Sequence, residues 1–292
     1  MSVTIERSLV RKTEVRDTKE KVIYWLLGLS TLAIVLPVLA ILYFLISLGA
    51  SAISWEFLTA VPRNGMTEGG IMPAIVGTFY LVIGTIVVAV PLGVMAAVYL
   101  SEYAGSGWFV RIIRLSLTNL AGVPSVVYGL FGLGVFVLLL DFGTSIIAGS
   151  LTLALLVLPL VITAAEESLR RVPQNLREGS LALGATKWQT VRNVVLPNSW
   201  PGILTGIILA IGRAAGETAP ILFTAAVYYQ VYLPRNVYDP VMALPYHLYT
   251  LATQADVRPE LQWGTALVLL ALVLGMSALA IMLRAKIRGK RM

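Results

Sequence analysis

The sequence contains no cysteine and a single histidine, His247. Without cysteine there is no disulfide, no thiolate metal ligand and no cysteine nucleophile, and one histidine cannot build a multi-histidine metal site. Charge is scarce as well: 13% of the 292 residues are charged, 58% are hydrophobic, and the mean hydropathy is +0.83. This composition excludes an ordinary soluble domain and indicates a membrane protein.

Six stretches are almost free of charge and long enough to cross a bilayer, which takes about 20 residues as a helix. Backbone polar groups in lipid must be satisfied within the segment, so helices are expected rather than barrel strands. The predicted fold class is an all-α polytopic membrane protein with six transmembrane helices. The predicted spans are residues 22–48, 71–100, 115–140, 142–165, 200–226 and 261–283.

The positive charges are distributed unevenly among the connections. Cytoplasmic loops retain Lys and Arg, and eighteen of the 22 basic residues fall in the two terminal tails and the second and fourth connections, against three in the other connections. Both termini and the 166–199 loop are therefore expected in the cytoplasm. The same asymmetry accounts for the net charge of +7, so membrane lipid is an expected partner and nucleic acid is not. The predicted domains are a cytoplasmic arm (1–21), a six-span transmembrane domain (22–284) that contains a cytoplasmic loop (166–199) and an external loop (227–260), and a basic cytoplasmic tail (285–292).

The polar loop between the fourth and fifth spans has the signals of a folded segment. Pro173 starts it, Gly184 permits a sharp reversal, and Thr186 with Gln189 three residues later forms the pattern of a capping box. We expect two short helices joined at the glycine. Two acid-first i,i+4 pairs at its start, Glu166 with Arg170 and Glu167 with Arg171, are expected only to stabilise a helix.

Within this loop Glu178 is followed six residues later by Gly184, and Leu196-Pro197 closes the segment. The spacing resembles the cytoplasmic loop of ABC importer permeases, with Gly179 and Ser180 in place of two alanines and Val194 in place of isoleucine. The resemblance implies a coupling helix that docks in a groove of a cytoplasmic ATPase. We expect Arg177, Glu178 and Lys187 to be free for that partner. The expected coupling residues are Arg177, Glu178, Ser180, Leu181, Gly184 and Ala185.

The fifth predicted span contains an intramembrane charge pair, Arg213 and Glu217, one helical turn apart. An arginine at the centre of a spanning helix costs roughly 2.5 to 3.5 kcal/mol on insertion scales, so it needs a partner or a wet cavity. The two charges could merely neutralise each other. A guanidinium that faces a cavity can instead bind an oxyanion through two parallel N–H donors, and we favour that function.

The segment 213–220, together with residues 123–132, is similar to the phosphate-specific branch of ABC importer permeases, and the continuation through Thr224 resembles PstA-type subunits. The resemblance implies a type I ABC importer permease fold in the bacterial inner membrane. It also implies a heterodimer with a PstC-type permease, two PstB-type ATPase subunits and a PstS-type phosphate-binding protein. The expected substrate-path residues are Arg213, Glu217, Thr218 and Ser125.

Pro124 is expected to kink the third span. It frees the Leu120 carbonyl from its helical bond, and the Ser125 hydroxyl is expected to bond back to Ala121. Neighbouring glycines are expected to serve close helix packing rather than substrate contact. These are Gly122, Gly129 and Gly132.

The external loop is rich in tyrosine, which suits a membrane interface. An interfacial loop and a dedicated docking surface are both open alternatives for it. The tyrosines are Tyr228, Tyr229, Tyr232, Tyr238, Tyr246 and Tyr249.

The predicted function is the transmembrane subunit of an ATP-driven phosphate importer. The chain lacks a Gly-x-x-x-x-Gly-Lys-Ser/Thr loop, so it is expected to be no enzyme and to bind no cofactor, with Mg-ATP held by the partner ATPase. One alternative is an importer of another oxyanion such as molybdate or sulfate. Another is an ion-coupled secondary transporter or channel, and an intramembrane enzyme is disfavoured because carboxylates in the spans are too few.

Overall fold

The computed structural model describes residues 2–105, 107–254 and 258–289, and these parts of the chain fold into twelve α-helices and one short hairpin. The helices are α1 (Ser2–Gly49), α2 (Trp55–Thr59), α3 (Met72–Val98), α4 (Trp108–Ala121), α5 (Ser125–Gly132), α6 (Ile146–Arg170), α7 (Gln174–Ala182), α8 (Lys187–Thr190), α9 (Leu196–Gly216), α10 (Ala219–Thr224), α11 (Leu244–Thr253) and α12 (Pro259–Gly289). Strands β1 (Pro62–Arg63) and β2 (Glu68–Gly69) pair antiparallel. Short 3-10 turns occupy Ala50–Ala52 and Asn64–Met66, and π-helical turns occupy Tyr99–Tyr103, Leu133–Leu139 and Val191–Val195.

Five helical segments in the described chain are long and apolar enough to cross a membrane, and a pair of helices bent at a short break gives a sixth when the pair is counted as one span. The predicted all-α, six-span class is confirmed. Two of the predicted spans need correction. The third is not one helix over 115–140, and the fifth ends at Gly216 rather than at residue 226. The five segments are Glu20–Ala52, Met72–Tyr103, Ile146–Arg170, Lys187–Gly216 and Pro259–Lys286.

The third crossing bends by 103° between α4 and α5. Proline lacks an N–H and its ring clashes with the preceding turn, so a helix cannot continue regularly through Pro124. Pro124 adopts an extended conformation, with φ −56° and ψ 139°. Gly122 caps the end of α4, and a Cβ added there would meet the Asn119 carbonyl of the same helix among the residues described. The expected packing role of Gly122 is therefore wrong.

Helix α6 is the centre of the fold, with α3, α9 and α5 packed around it. Small residues let these helices lie close to α6, because two helices can approach closely only where their side chains are small. Gly93 of α3 lies against Val161, and Gly206 of α9 lies against Ala164. The packing predicted for Gly129 and Gly132 is confirmed: Gly129 lies against Ala219 and Phe223 of α10, and Gly132 lies against Thr152 of α6 and Thr224.

Helices α1 and α12 pack against each other at the outside of the bundle. Helix α1 begins at Ser2, so the described part of the predicted arm 1–21 is continuous in backbone with the first span. The last three residues of the predicted tail 285–292 lie outside the described residues. The domain boundaries and the cytoplasmic placement of the termini stay predictions.

A small folded layer covers the end of the bundle where α3 begins. Phe57 and Met66 of the first connection share an apolar cluster with Met242, Leu244 and Leu251 of the 227–260 loop. The 227–260 loop therefore folds onto another connection in addition to presenting tyrosines. The Tyr229 hydroxyl reinforces the layer by donating to the Pro62 carbonyl at 3.0 Å.

Candidate transport path and coupling surface

The break in the third crossing is held by a buried tyrosine. Tyr128 lies one turn into α5, and its hydroxyl donates to the Leu120 carbonyl at 2.8 Å. The Val123 N–H donates to the same carbonyl at 3.1 Å. As expected, Pro124 offers no N–H for the regular helical bond to the Leu120 carbonyl, and Tyr128 and Val123 satisfy this carbonyl instead. The structure shows no Ser125 bond to Ala121 within the described chain. Tyr128 fixes the angle between α4 and α5 because it bridges the break directly.

The end of α9 holds the intramembrane charges. Helix α9 stops at Gly216, and Glu217 adopts an extended conformation with φ −74° and ψ 133°. Even so, Arg213 Nε lies 3.5 Å from Glu217 Oε1, so the predicted pair forms across the helix end. The Arg213 side chain is 38% exposed and Glu217 is 17% exposed. The arginine thus keeps access to the surroundings while its partner is mostly covered.

The predicted path residues come from two adjacent breaks in the helical structure. Thr218 follows Glu217 and precedes α10, whereas Ser125 begins α5. Helices α5 and α10 pack against each other through Gly129, one turn beyond Ser125. Tyr128 of α5 also shares an apolar cluster with Ala214 and Ala215, which follow Arg213 in α9. The fold therefore places the start of α5 beside the α9–α10 junction, although no contact joins Ser125 to Arg213 in the described chain.

The 166–199 loop has the local structure that its sequence predicts. Helices α7 and α8 are joined by a turn in which Gly184 has φ +81°, a conformation that favours glycine. The Gln189 N–H donates to the Thr186 hydroxyl at 3.3 Å, and the Thr186 N–H donates to the Gln189 side chain at 2.7 Å. Both halves of the capping box are present.

Arg177 does not have the predicted freedom. Its Nη2 donates to Glu102 Oε1 and to the Leu169 carbonyl, both at 2.8 Å, and its Nε lies 3.4 Å from Glu102 Oε2. Its Nη1 also donates to the Val172 carbonyl. Both charged side chains are largely buried, at 14% and 9% exposure. Arg177 ties α7 to the end of α3, and the sequence could not reveal this because its partner is 75 residues away.

Glu166 also does more than the predicted helix support. Its Oε1 lies 2.7 Å from Arg170 Nη2, as the i,i+4 spacing predicts, and 3.0 Å from Arg114 Nη2 of α4. Arg114 Nη2 donates further to the Leu100 carbonyl at 3.0 Å. Glu166 therefore joins α6 to α4 and, through Arg114, to the end of α3. The Glu167–Arg171 pair stays as predicted, at 3.6 Å and exposed.

Residues 174–190, which form α7, the glycine turn and α8, are named the coupling segment after their expected role, and their outer face presents apolar and acidic groups. Leu183 is 91% exposed, and Leu176, Leu181 and Glu178 are exposed as well. Ser180 faces inward, and its hydroxyl lies 2.9 Å from that of Thr190. Ala185 donates its N–H to the Ser180 carbonyl at 3.2 Å. An exposed apolar helix face with one carboxylate suits docking of another protein.

His247, which the sequence analysis used only to exclude metal sites, is a buried residue of α11. It is 3% exposed, and its Nδ1 has no hydrogen-bond partner in the described parts of the chain. Burial lowers the pKa of His247 to about 4. His247 is therefore neutral at physiological pH.

A helical bundle with a broken crossing, an arginine–glutamate pair at a helix end and a folded polar loop fits a membrane transport subunit. The chain belongs to the family described as binding-protein-dependent transport system inner membrane component, whose model matches residues 89–289. Members of this family work in general with ATPase partners and a substrate-binding protein. The chain is thus a multi-pass inner-membrane transport subunit.

Two curated relatives cover most of the chain. The phosphate transport system permease protein PstA of Mycobacterium leprae (strain TN) is 40% identical over 254 residues, which is 85% of this chain and 83% of that protein. The phosphate transport system permease protein PstA 1 of Mycobacterium tuberculosis (strain CDC 1551 / Oshkosh) is 43% identical over 218 residues, or 74% and 71% of the two chains.

Solved structures share the fold. A bacterial ABC transporter involved in the import of the acidic polysaccharide alginate matches with a TM-score of 0.65 at 17% identity, over 90% of this chain and 96% of that chain. The MetNI methionine ABC transporter in an inward-facing conformation matches with a TM-score of 0.57 at 16% identity, over 75% and 94%. The fold is that of type I ABC importer permeases, as predicted.

Proposed function

We propose that this chain is the permease subunit of an ATP-driven phosphate importer and forms half of its translocation path. The observation that supports the proposal most directly is that the Arg213 guanidinium has unused hydrogen-bond donors in the described chain. Its described contact is the single 3.5 Å approach of Nε to Glu217, so Nη1 and Nη2 have no protein acceptor within the described chain. Two adjacent guanidinium nitrogens match two oxygens of a phosphate group.

Glu217 lowers the affinity of Arg213 for phosphate. A carboxylate beside Arg213 offsets part of its positive charge and repels an incoming anion. Transport requires binding weak enough for release, so a moderated arginine suits conduction better than a bare one. Thr218 and Ser125 supply hydroxyl groups at the two neighbouring helix breaks, and we assign them to the same path.

The coupling loop reaches Arg213 through continuous helix. The segment Lys187–Gly216 is helical throughout, with a π-helical turn at Val191–Val195 between α8 and α9. The 18 residues from Leu196 to Arg213 span about 25 Å at a rise of 1.5 Å per residue. Displacement of α7 and α8 by a docked ATPase therefore moves the end of α9. The docking residues in this proposal are Glu178, Leu181, Gly184 and Ala185 at the surface, with Arg177 and Ser180 holding α7 in place.

The partners in this proposal are a PstC-type permease in a heterodimer, two PstB-type ATPase subunits and a PstS-type binding protein. Its support is the PstA naming of relatives at 40% and 43% identity. Hydrolysis of ATP takes place in the ATPase subunits, which hold Mg-ATP, and this chain binds no cofactor.

The test is uptake of labelled phosphate into proteoliposomes that contain the whole complex, with the binding protein supplied. We expect uptake only with ATP, at constant ion gradients, and little competition from sulfate or molybdate. Uptake that persists without ATP would instead support an ion-coupled transporter. If molybdate or sulfate competes strongly with phosphate, the protein is still part of an ATP-driven importer, but its substrate is another oxyanion.

A further inference from the structure

Behind the coupling segment lies a polar cavity of about 730 Å³ that the proposed transport path does not use. It is bounded by the end of α3, the start of α4, the end of α6 and the inner face of α7 and α8. Four cationic side chains line it, together with Glu102 and the polar side chains of Gln174 and Thr190. The cations are Arg114, Arg170, Arg177 and Lys187.

The positive charges in this cavity exceed the negative ones. Glu102 neutralises Arg177 through two hydrogen bonds. Glu166, next to the cavity, offers a single oxygen, Oε1, to both Arg114 and Arg170. One carboxylate cannot neutralise two guanidinium groups, and Lys187 has no carboxylate partner among the described residues. Its ammonium instead lies 4.9 Å from the centre of the Tyr103 ring. An excess of two positive charges remains.

Several donors at the cavity are also unused. In the described chain, Nη1 of Arg114 and both Nε and Nη1 of Arg170 have no protein acceptor, and these side chains are 39% and 53% exposed. Guanidinium and ammonium donors around one opening match a tetrahedral phosphate group, which offers several strong acceptor oxygens. Basic pockets between helices on the cytoplasmic side of a membrane bind phospholipid head groups by this chemistry.

The geometry points to a second phosphate-group site in this cavity, bound by Arg114, Arg170 and Lys187 and separate from Arg213. The phosphate comes either from the head group of an anionic phospholipid or from free inorganic phosphate. Exposed aromatic side chains at the same end of α3 and α4 place the opening near a membrane interface. They are Tyr99, Tyr103, Trp108 and Phe109. Since the site is bounded by α7 and α8, its occupancy stabilises the coupling segment against the spans.

The test uses the whole complex in nanodiscs, with Arg213→Gln present throughout so that the transport path makes no contribution. One arm titrates inorganic phosphate into neutral phosphatidylcholine nanodiscs, against chloride at equal ionic strength. The other arm replaces part of the phosphatidylcholine with phosphatidylglycerol and omits phosphate. The readout is the Tm of the complex, because a ligand that binds the folded state raises it.

Arg170→Gln and Arg171→Gln form a matched pair on consecutive residues, each with an i,i+4 glutamate, and only Arg170 lines the cavity. We expect a saturable rise in Tm in at least one arm, unchanged by Arg171→Gln. Losing one charge-assisted contact should weaken the midpoint about tenfold in Arg170→Gln. Lys187→Gln, at an exposed position, should act in the same direction without a folding defect. The responding arm identifies the source of the phosphate.

The inference is overturned if neither arm raises Tm, or if the rise is equal in Arg170→Gln and Arg171→Gln. It is also overturned if Arg170→Gln lowers ATPase activity with no dependence on phosphate or phosphatidylglycerol, because the cavity would then serve an ATPase contact. These outcomes do not bear on phosphate uptake, so the proposed function can stand or fall separately.

Discussion

Two arginine–glutamate pairs in this chain have opposite environments. Arg177 and Glu102 meet at 2.8 Å, are 14% and 9% exposed, and have their remaining arginine donors directed at backbone carbonyls. Arg213 and Glu217 approach only to 3.5 Å, and the arginine is 38% exposed. The first pair lies beside the coupling loop and the second at the end of α9.

The difference lies in how many arginine donors the protein itself satisfies. A guanidinium whose nitrogens all have protein acceptors can only hold structure together, because nothing is left for a ligand. A guanidinium with unused donors can bind an external anion. By this criterion Arg177 holds helix α7 in position, whereas Arg213 has the free donors that the phosphate-binding role we propose for it requires. From the sequence, Arg177 is assigned to coupling through the resemblance of its loop, and Arg213 to the substrate path because it is a charge within a predicted span.

Breaking the buried pair of Arg177 and Glu102 should have the largest effect on stability. Arg177→Met leaves Glu102 buried without its partner, which is expected to cost about 3 to 5 kcal/mol. The measurement is thermal unfolding of the purified complex. Arg171→Met, at an exposed 3.6 Å pair, is the matched control and should change stability by less than about 1 kcal/mol. The double variant Glu102→Leu with Arg177→Met should recover most of the loss, and equal losses in Arg177→Met and Arg171→Met would contradict the assignment.

His247 sharpens the comparison because it is more deeply buried than Glu102, and its Nδ1 has no hydrogen-bond partner in the described parts of the chain. The pKa of His247 is about 4 in the folded protein and about 6.5 in the unfolded chain, so the unfolded state takes up the proton first as the pH falls. The free energy of unfolding is therefore at its full value above pH 6.5 and decreases as the pH falls toward 4. At pH 4 the free energy of unfolding is lower by about 3 kcal/mol for this reason. Unfolding at a series of pH values should show this slope in the unaltered chain and a shallower one in His247→Gln. Parallel slopes would show that His247 does not titrate as its burial requires.

The glycine turn of the coupling loop is the next test. Gly184→Ala forces a side chain into a left-handed conformation and should cost about 1 to 2 kcal/mol. Gly179→Ala is the matched control, since Gly179 lies inside α7 with nothing near its Cβ position in the described structure. It should stabilise the helix by up to about 1 kcal/mol. Unfolding midpoints and phosphate uptake rates are measured for both variants. If Gly179→Ala lowers stability and uptake as much as Gly184→Ala does, the turn at Gly184 has no special need for glycine.

Local features of the fold were predictable from the sequence. The spans, the capping box of Thr186 and the reversal at Gly184 depend on residues a few positions apart. The errors concern partners distant in sequence. Arg177 is neutralised by Glu102, 75 residues away, and the small folded layer at the start of α3 joins connections more than 150 residues apart. A proline predicts a kink, but its 103° angle depends on how α5 packs against α6 and α10.

The most direct measurement is phosphate uptake by reconstituted complexes that carry Arg213→Lys or Arg213→Gln, with basal ATPase activity followed in parallel and Arg111→Gln as an exposed control. Losing a bidentate charged contact worth about 1.5 to 3 kcal/mol should lower uptake by Arg213→Gln about 10- to 100-fold. Lysine keeps the charge without the paired donors, so Arg213→Lys should be intermediate. Basal ATPase activity and Arg111→Gln should stay close to the unaltered complex. Intact transport in both Arg213 variants would contradict the account.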